Sequence, residues 1–317
     1  MQKRRFKHGA ANHVYQRTIN RYNIFYDHFD YIVYFTILSV VSEKYDILIS
    51  GLCLMIDHIH ILINARRKTI LSRFLSHVTS LFVREYNSSV GRHGPLFEER
   101  FGSAPKSDKK RLLSCIIYIG NNPVERGICD RAESYRWNFI AYMSSRHPFS
   151  EELIVRRASA KLKKALSVVD HFRDAGRYLN YKILKFLYEG LDGKESEQLT
   201  DYIICRYNVI DYESVRRHFE SYDHLLTSMC STTGSEFDIK EQKDRFSDLI
   251  YYKMADVVRR EVRDSVREVI VWDREAKIPL ANRLLRMVGV TREQVCRFLH
   301  LDSEWLAGIL FHKGHFR

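Results

Sequence analysis

The sequence predicts an α+β fold in which an antiparallel sheet with helices is followed by an all-α region. Three observations predict it. Short runs of β-forming residues occur before about residue 104, and longer segments with apolar residues at helical spacing separate them. After about residue 150 the chain contains only helical segments, several of which are broken by glycine.

The first half is expected to contain the sheet. In chain order we predict a strand at 13–19, a helix at 27–44, strand-like runs at 45–56 and 58–65, a helix at 69–89, an extended segment at 91–104 and a helix at 108–122. Asp27 is the predicted cap of the first helix, and Pro123 is expected to end the last one. Asp57 alone separates the two central runs, which are either two tightly joined strands or one bent strand. This β-α-β-β-α-β order fits a ferredoxin-like unit.

Changes in pattern divide the chain into three predicted domains. Residues 1–148 hold the sheet, residues 149–270 are a helical connector, and residues 271–317 form a helix-turn-helix-like module. Within the connector, residues 230–238 are a polar break and residues 243–270 are expected to form one longer helix.

The last module is predicted from its capping and core spacing. Thr291 and Gln294 are spaced as a capping box at the start of a helix, and a further helix follows after a short turn. His300 stands in that turn, where a helix-turn-helix usually has glycine. Because the expected recognition helix offers Glu304 and not a basic surface, a packing module without DNA contact stays an alternative.

The charge balance favours a polyanionic partner. The 317 residues carry a formal net charge of +12, and the pI is about 9.4. No run approaches the roughly 18 apolar residues of a membrane helix, so we expect no membrane association. The six cysteines are scattered without a CxxC pair, which is typical of reduced thiols in a cytoplasmic protein.

Two histidines, His58 and His60, lie one residue apart in a strand-like run. Side chains at i and i+2 of a strand point to the same face, so the two imidazoles project together while Ile59 points into apolar packing. Such a pair is a candidate metal site. The plain alternative is two polar residues on a half-exposed strand.

Tyr118 and Asn122 lie four residues apart on a predicted helix and share one face. The Asn122 carbonyl oxygen is an acceptable ligand of Mg²⁺ or Mn²⁺, and the imidazoles of His58 and His60 favour Mn²⁺. Beside such a metal, Tyr118 is a candidate nucleophile for a phosphodiester, with Tyr86 next. The alternatives are an ordinary core or surface tyrosine, and a helix C-cap role for Asn122.

The motifs MIDHIHILI, GPLFEERFGS and YIGNNPVERG together resemble the single-tyrosine HUH transposases, and most of all the REP-associated tyrosine transposases. The resemblance covers about residues 10–145, with the motifs in the family's order. Its histidine-hydrophobic-histidine strand and its Tyr-x-x-x-Asn helix correspond to His58, Ile59 and His60 and to Tyr118 and Asn122. Its Gly-x-x-aromatic-x-x-Arg-Phe segment corresponds to Gly94, Phe97, Arg100 and Phe101.

One position departs from the family pattern. The usual Met-Pro-Asn before the first histidine is here Met55-Ile56-Asp57. The change removes a rigid proline and adds a carboxylate beside the expected metal.

The resemblance implies a metal-dependent single-stranded DNA endonuclease and strand transferase that acts near hairpins. Tyr118 would hold the 5′ end in a phosphotyrosine link, and His58, His60 and Asn122 would bind Mg²⁺ or Mn²⁺. The implied partners are single-stranded DNA hairpins, either REP-like or palindromes at element ends. The chain would act as a monomer or a homodimer.

Two other functions stay open. A domesticated relative would bind hairpin DNA as a regulator without transposition, although Tyr118, His58, His60 and Asn122 are all present. A replication initiator or relaxase usually carries a helicase or a second tyrosine, and no GxxxxGK[ST] loop occurs here.

The candidates for DNA contact are basic or aromatic. They are Arg17, Phe97, Arg100, Phe101, Lys109, Lys110 and Arg111, with Arg66, Arg67 and Lys68 as further candidates. Arg100 ranks above the other basic residues, each of which alone is more often a solvated charge, and the two phenylalanines are as well explained as core. The C-terminal region is expected to add DNA affinity but no chemistry. A fragment ending near residue 150 should therefore still cleave a minimal hairpin.

Overall fold

A four-stranded antiparallel sheet forms the centre of the first half. The structure, a computed structural model, describes residues 5–98, 101–230, 247–262 and 265–312, with side chains up to residue 309. The sheet consists of β1 (Ala11–Arg17), β2 (Ile47–Leu54), β3 (His58–Ala65) and β4 (Gly102–Lys106) in the order β2-β3-β1-β4. All neighbouring strands are antiparallel, which is the ferredoxin-like arrangement, so the predicted fold class is confirmed.

Three helices accompany the sheet. They are α1 (His28–Ser42), α2 (Lys68–Val90) and α3 (Lys109–Glu125). On one face of the sheet, Gln16 of β1 hydrogen-bonds Thr79 of α2. On the other face, Tyr118 of α3 lies against His13 and His60. The sheet is therefore covered on both faces, and the candidate site lies between the sheet and α3.

The central runs are two strands joined by a tight connection. β2 ends at Leu54 and β3 begins at His58, and the backbone N–H of Met55 donates to the carbonyl of His58 at 2.9 Å. The edge strand β4 contains Pro105, which has no N–H to donate. An edge strand tolerates this, because no further strand of the sheet pairs with its outer side.

Helix α1 is buried on every side. Asp27 caps it as predicted, because its carboxylate accepts the N–H of Phe29 at 2.9 Å. Every residue from Asp30 to Ser42 is buried. A helix that is apolar all round needs cover on all sides, and α2 supplies one side while C-terminal helices supply another.

Helix α3 continues past Pro123, so the prediction that this proline ends the helix was wrong. Pro123 lies in the last turn, where its missing N–H costs a single bond to the preceding turn. The N–H of Arg126 donates to the Asn122 carbonyl at 3.0 Å and closes that turn. Asn122 is therefore inside the helix and is not its C-cap.

The second half is helical in the described residues. Its helices are α4 (Ala160–Asp174), α5 (Tyr181–Tyr188), α6 (Gly193–Tyr207), α7 (Tyr212–Arg216), α8 (Tyr222–Cys230), α9 (Leu249–Val258), α10 (Lys277–Leu285), α11 (Arg292–Leu299) and α12 (Ser303–His312). The single long helix predicted at 243–270 was wrong, because α9 is short and a 3-10 helix, Val266–Val271, follows it. Of the polar break predicted at 230–238, the residues after 230 lie outside the described residues.

The last three helices follow one another in the predicted order, and their helix-turn-helix-like character stays a prediction. The Thr291–Gln294 capping box is present at the start of α11. His300 has φ +53°, the left-handed conformation for which glycine is usual at this turn. DNA binding by this module stays a prediction.

This module packs against the segment between β1 and α1. The N–H of Asn23 donates to the Arg297 carbonyl at 3.2 Å, and the Tyr26 hydroxyl donates to the Phe298 carbonyl at 2.5 Å. The His300 Nε2–H donates to the Asn23 carbonyl at 2.7 Å. The buried apolar core of the described chain extends from the sheet to Leu306 of α12. The three domain boundaries stay a prediction.

Among the described residues, no helix is both long enough and apolar enough to cross a membrane. The six cysteines all lie in the described part of the chain and form no disulfide.

Candidate active site

The pairing of β1 with β3 builds one polar face of the sheet. Tyr15 lies opposite His60, and Arg17 lies opposite His58. Opposed residues of an antiparallel pair point to the same face, and alternation adds His13 to that face. The face that carries the two predicted histidines therefore also carries His13, Tyr15 and Arg17.

His58, His60 and Asn122 converge at one point between β3 and α3. The Nε2 atom of His58 lies 3.3 Å from Oδ1 of Asn122, and Nε2 of His60 lies 3.3 Å from Nδ2 of the same amide. The two imidazole centroids are 5.0 Å apart. The two histidines on the strand and Asn122 on the helix, which the sequence identified separately, are thus in contact with one another.

The other ring nitrogen of each histidine is also engaged. Nδ1 of His58 lies 2.5 Å from a carboxylate oxygen of Asp57, and Nδ1 of His60 lies 2.9 Å from Nε2 of His13. When each Nδ1 carries the proton and donates to these partners, the Nε2 lone pairs face Asn122. This is the arrangement that neutral imidazole ligands of a metal need.

Tyr118 lies one helical turn before Asn122 on α3 and faces the same group. Its ring centroid is 5.4 Å from that of His60 and 6.0 Å from that of His13. Tyr118 is only 6% exposed, and His58, His60 and Asn122 are buried as well. The structure therefore brings together all four residues that the sequence singled out, in an enclosed position. By contrast Tyr86, the alternative nucleophile, lies on α2 near Tyr181, on the other side of the sheet.

Asp57 is held among positive groups. The Arg21 Nε donates to its second carboxylate oxygen at 3.3 Å. Burial favours the protonated carboxyl, yet the pKa of Asp57 lies well below its usual range. The hydrogen bond from His58 and the charges of Arg126 and Arg21 outweigh burial, so Asp57 is an ionised acceptor for the His58 ring.

A residue from the second half completes this charged group. Arg126 forms a two-bonded pair with the Asp248 carboxylate, with Nε–Oδ2 at 2.8 Å and Nη2–Oδ1 at 3.0 Å. Burial raises the pKa of Asp248 to about 6, while Arg126 lowers it and the charge of Asp57 raises it. Asp57 and Asp248 therefore both interact with the Arg126 charge.

The donors present fit a Mg²⁺ or Mn²⁺ ion. Within the described residues, no group of three His, Cys, Asp or Glu side chains could hold a metal, so the third protein ligand would be the Asn122 amide oxygen. Two Nε2 atoms and one amide oxygen are donors that Mn²⁺ accepts, and Mg²⁺ prefers the oxygen. His58, His60 and Asn122 would hold the ion.

The predicted DNA contacts lie in different surroundings. Arg17 lies beside the site, with its guanidinium carbon 5.3 Å from the Tyr15 ring centroid. Phe97 and Phe101 are buried in the hydrophobic core, which is the alternative that the sequence left open. The exposed first turn of α3 carries the basic run Lys109, Lys110 and Arg111, and Arg100 lies outside the described residues.

Sequence reasoning missed His13, Tyr15, Arg21, Arg126 and Asp248. His13 and Tyr15 alternate with Val14 along β1, so the strand pattern placed them together on one face. Only the register of β1 against β3 shows that this face is also that of His60. Asp248 had no signal, because it is 122 positions from Arg126.

A known protein family matches the part of the chain that holds the sheet. The model of the family described as "Transposase IS200 like" matches residues 7–122. Residues 7–122 are therefore similar to that family. This segment contains the whole sheet and α3 up to Asn122, and covers a little more than a third of the chain. The resemblance that the motifs predicted is confirmed for this IS200-like segment.

One solved structure, described as "Structure of the REP associates tyrosine transposase bound to a REP hairpin", is 15% identical. The match covers 50% of this chain and 95% of that chain with a TM-score of 0.40, and at that score it carries no further argument. No curated protein matches the sequence.

Proposed function

We propose that this protein nicks single-stranded DNA near hairpins and transfers the strand through Tyr118, with Mg²⁺ or Mn²⁺ as cofactor. The observation that carries the proposal is the convergence of His58 Nε2 and His60 Nε2 on Asn122, with Tyr118 one turn away on the same helix. The IS200-like segment contains all four residues.

The covalent step needs one oxygen nucleophile and one leaving oxygen. The Tyr118 oxygen attacks the scissile phosphorus, the Tyr118 O–P bond forms, and the bond from phosphorus to the 3′ oxygen breaks. The phenol loses its proton and the departing 3′ oxygen gains one, so the products are a 5′-phosphotyrosine and a free 3′-OH. A bound divalent ion polarises the phosphate and offsets charge on its oxygens.

The chain's own residues prepare this step. Asp57 and His13 fix the rings of His58 and His60, so each Nε2 faces the amide of Asn122. Arg17, opposite His58 on the same face, is a candidate for a phosphate contact. The net charge of +12 supports a DNA partner, and the proposed partner is a single-stranded hairpin.

The burial of the site sets a condition on this function. A phosphodiester reaches the 6% exposed Tyr118 only if neighbouring elements move apart. The same burial favours a second candidate, a regulator that binds hairpin DNA without cutting it. The two candidates differ in one product, the covalent protein–DNA adduct.

Incubation with an end-labelled single-stranded hairpin and Mn²⁺ separates them. The nuclease proposal expects an adduct that survives boiling in detergent, and expects EDTA to abolish it. A single strand of the same composition without a hairpin is the control and should give little adduct. Hairpin binding with no adduct at any metal concentration would support the regulator.

A further inference from the structure

We infer that the second half of the chain is part of the metal site and that Asp248 is its positioning residue. This inference rests on the proposed function, because it concerns Asn122, a ligand of the metal site proposed there. Asp248 lies outside the IS200-like segment and at the start of α9.

Asp248 is joined to the end of α3 by side chain and backbone. Its carboxylate accepts hydrogen bonds from Nε and Nη2 of Arg126, and its N–H donates to the Arg126 carbonyl at 2.8 Å. Next to it, the Ser247 hydroxyl donates to the Gly127 carbonyl at 2.6 Å. The pair is nearly inaccessible to water, with side-chain exposures of 11% for Arg126 and 1% for Asp248. Segment 247–248 therefore holds the end of α3 through four hydrogen bonds.

Gly127 shows how close this approach is. It has φ +62°, and a Cβ atom added there would lie 2.9 Å from the Ser247 hydroxyl oxygen. Both the backbone conformation and the space require glycine. The end of α3 and segment 247–248 are thus packed together at a separation that few side chains would allow.

One path leads from Asp248 to Asn122. The N–H of Arg126 donates to the Asn122 carbonyl, so the residue that Asp248 holds closes the helical turn carrying the amide ligand. Pro123 weakens that turn, because it has no N–H to donate to the preceding turn. Asp248 therefore supports the helix next to the position where Pro123 leaves out one hydrogen bond.

The test is Mn²⁺ binding in the absence of DNA, measured from the electron paramagnetic resonance signal of the free ion. The full-length variants are Asp248→Asn and Arg126→Lys, which keeps the charge but loses the two-pronged pairing. The matched control is Asp30→Asn, since Asp30 forms another buried pair across the two halves, with Arg267 at 2.9 Å. Thermal unfolding of each variant is measured alongside.

We expect Asp248→Asn and Arg126→Lys to weaken Mn²⁺ affinity by about 10-fold to 100-fold. Asp30→Asn should lower the unfolding temperature and leave the affinity of the folded protein at the wild-type value. Wild-type Mn²⁺ affinity in both Asp248→Asn and Arg126→Lys would overturn this inference but not the proposed metal site. An equal loss of Mn²⁺ affinity in Asp30→Asn would have the same consequence. Failure of the wild-type protein to bind Mn²⁺ would instead overturn the proposed metal site, and this inference with it.

Discussion

The Nε2 atom of His58 and the Oδ1 atom of Asn122 lie 3.3 Å apart, although 64 positions separate the two residues in the sequence. One residue belongs to β3 and the other to α3, so the candidate site exists only while α3 packs on the sheet. Changes that loosen α3 should therefore affect the metal site as strongly as changes to a ligand.

Removal of either histidine should abolish hairpin cleavage. His58→Ala and His60→Ala each delete an Nε2 donor, and we expect cleavage rates to fall by more than roughly 100-fold. Asn122→Ala should cost less, because water can replace a neutral oxygen ligand. The assay is adduct formation with Mn²⁺ and a labelled hairpin, with the exposed His147→Ala as a control. Normal cleavage by His58→Ala would remove the histidine pair from the site.

The contact between the last module and the first half should weaken in acid. Burial lowers the pKa of His300 from 6.5 to about 3, and its Nε2–H donates to the Asn23 carbonyl. A folded-state pKa below the unfolded value gives stability that is present above pH 6.5 and lost as pH falls toward 3.

Between pH 7.5 and pH 5 we expect His300 to account for a loss of about 1–2 kcal/mol in the free energy of unfolding. Urea unfolding at the two pH values measures it. His300→Asn can keep the left-handed backbone and removes the titration, so its pH dependence should be smaller by that amount. An unchanged pH dependence in this variant would show that His300 does not control it.

A fragment of residues 1–148 should not fold stably. The fragment lacks the C-terminal helices that cover α1, so we now expect it not to cleave a minimal hairpin, unlike the expectation from the sequence. The fragment also leaves Asp30 without Arg267, its partner at 2.9 Å, and loss of one member of a buried ion pair costs about 3–5 kcal/mol. Circular dichroism during urea unfolding tests this. Cooperative unfolding of the fragment at the midpoint of the full-length protein would contradict it.

Local patterns were enough to predict the elements of the sheet and the four central residues. Alternation and helical spacing are properties of neighbouring residues, so they placed His58 with His60 and Tyr118 with Asn122. The capping boxes at Asp27 and Thr291 are equally local.

The remaining features depend on tertiary packing. Pro123 was expected to end α3, but the bonds around Arg126 and Asp248 hold its last turn. His13 joins the site through the register of β1 against β3. Neither the register nor the docking of the second half leaves a pattern in the sequence, because both depend on residues far apart in the chain.

Adduct formation by Tyr118→Phe, which removes one oxygen and keeps the ring, tests the proposed nucleophile. We expect wild-type protein and the control Tyr86→Phe, with hairpin DNA and Mn²⁺, to give an adduct that survives denaturation. Tyr118→Phe should give none and should bind the hairpin with nearly unchanged affinity. An adduct of normal yield in Tyr118→Phe would show that the nucleophile is another residue.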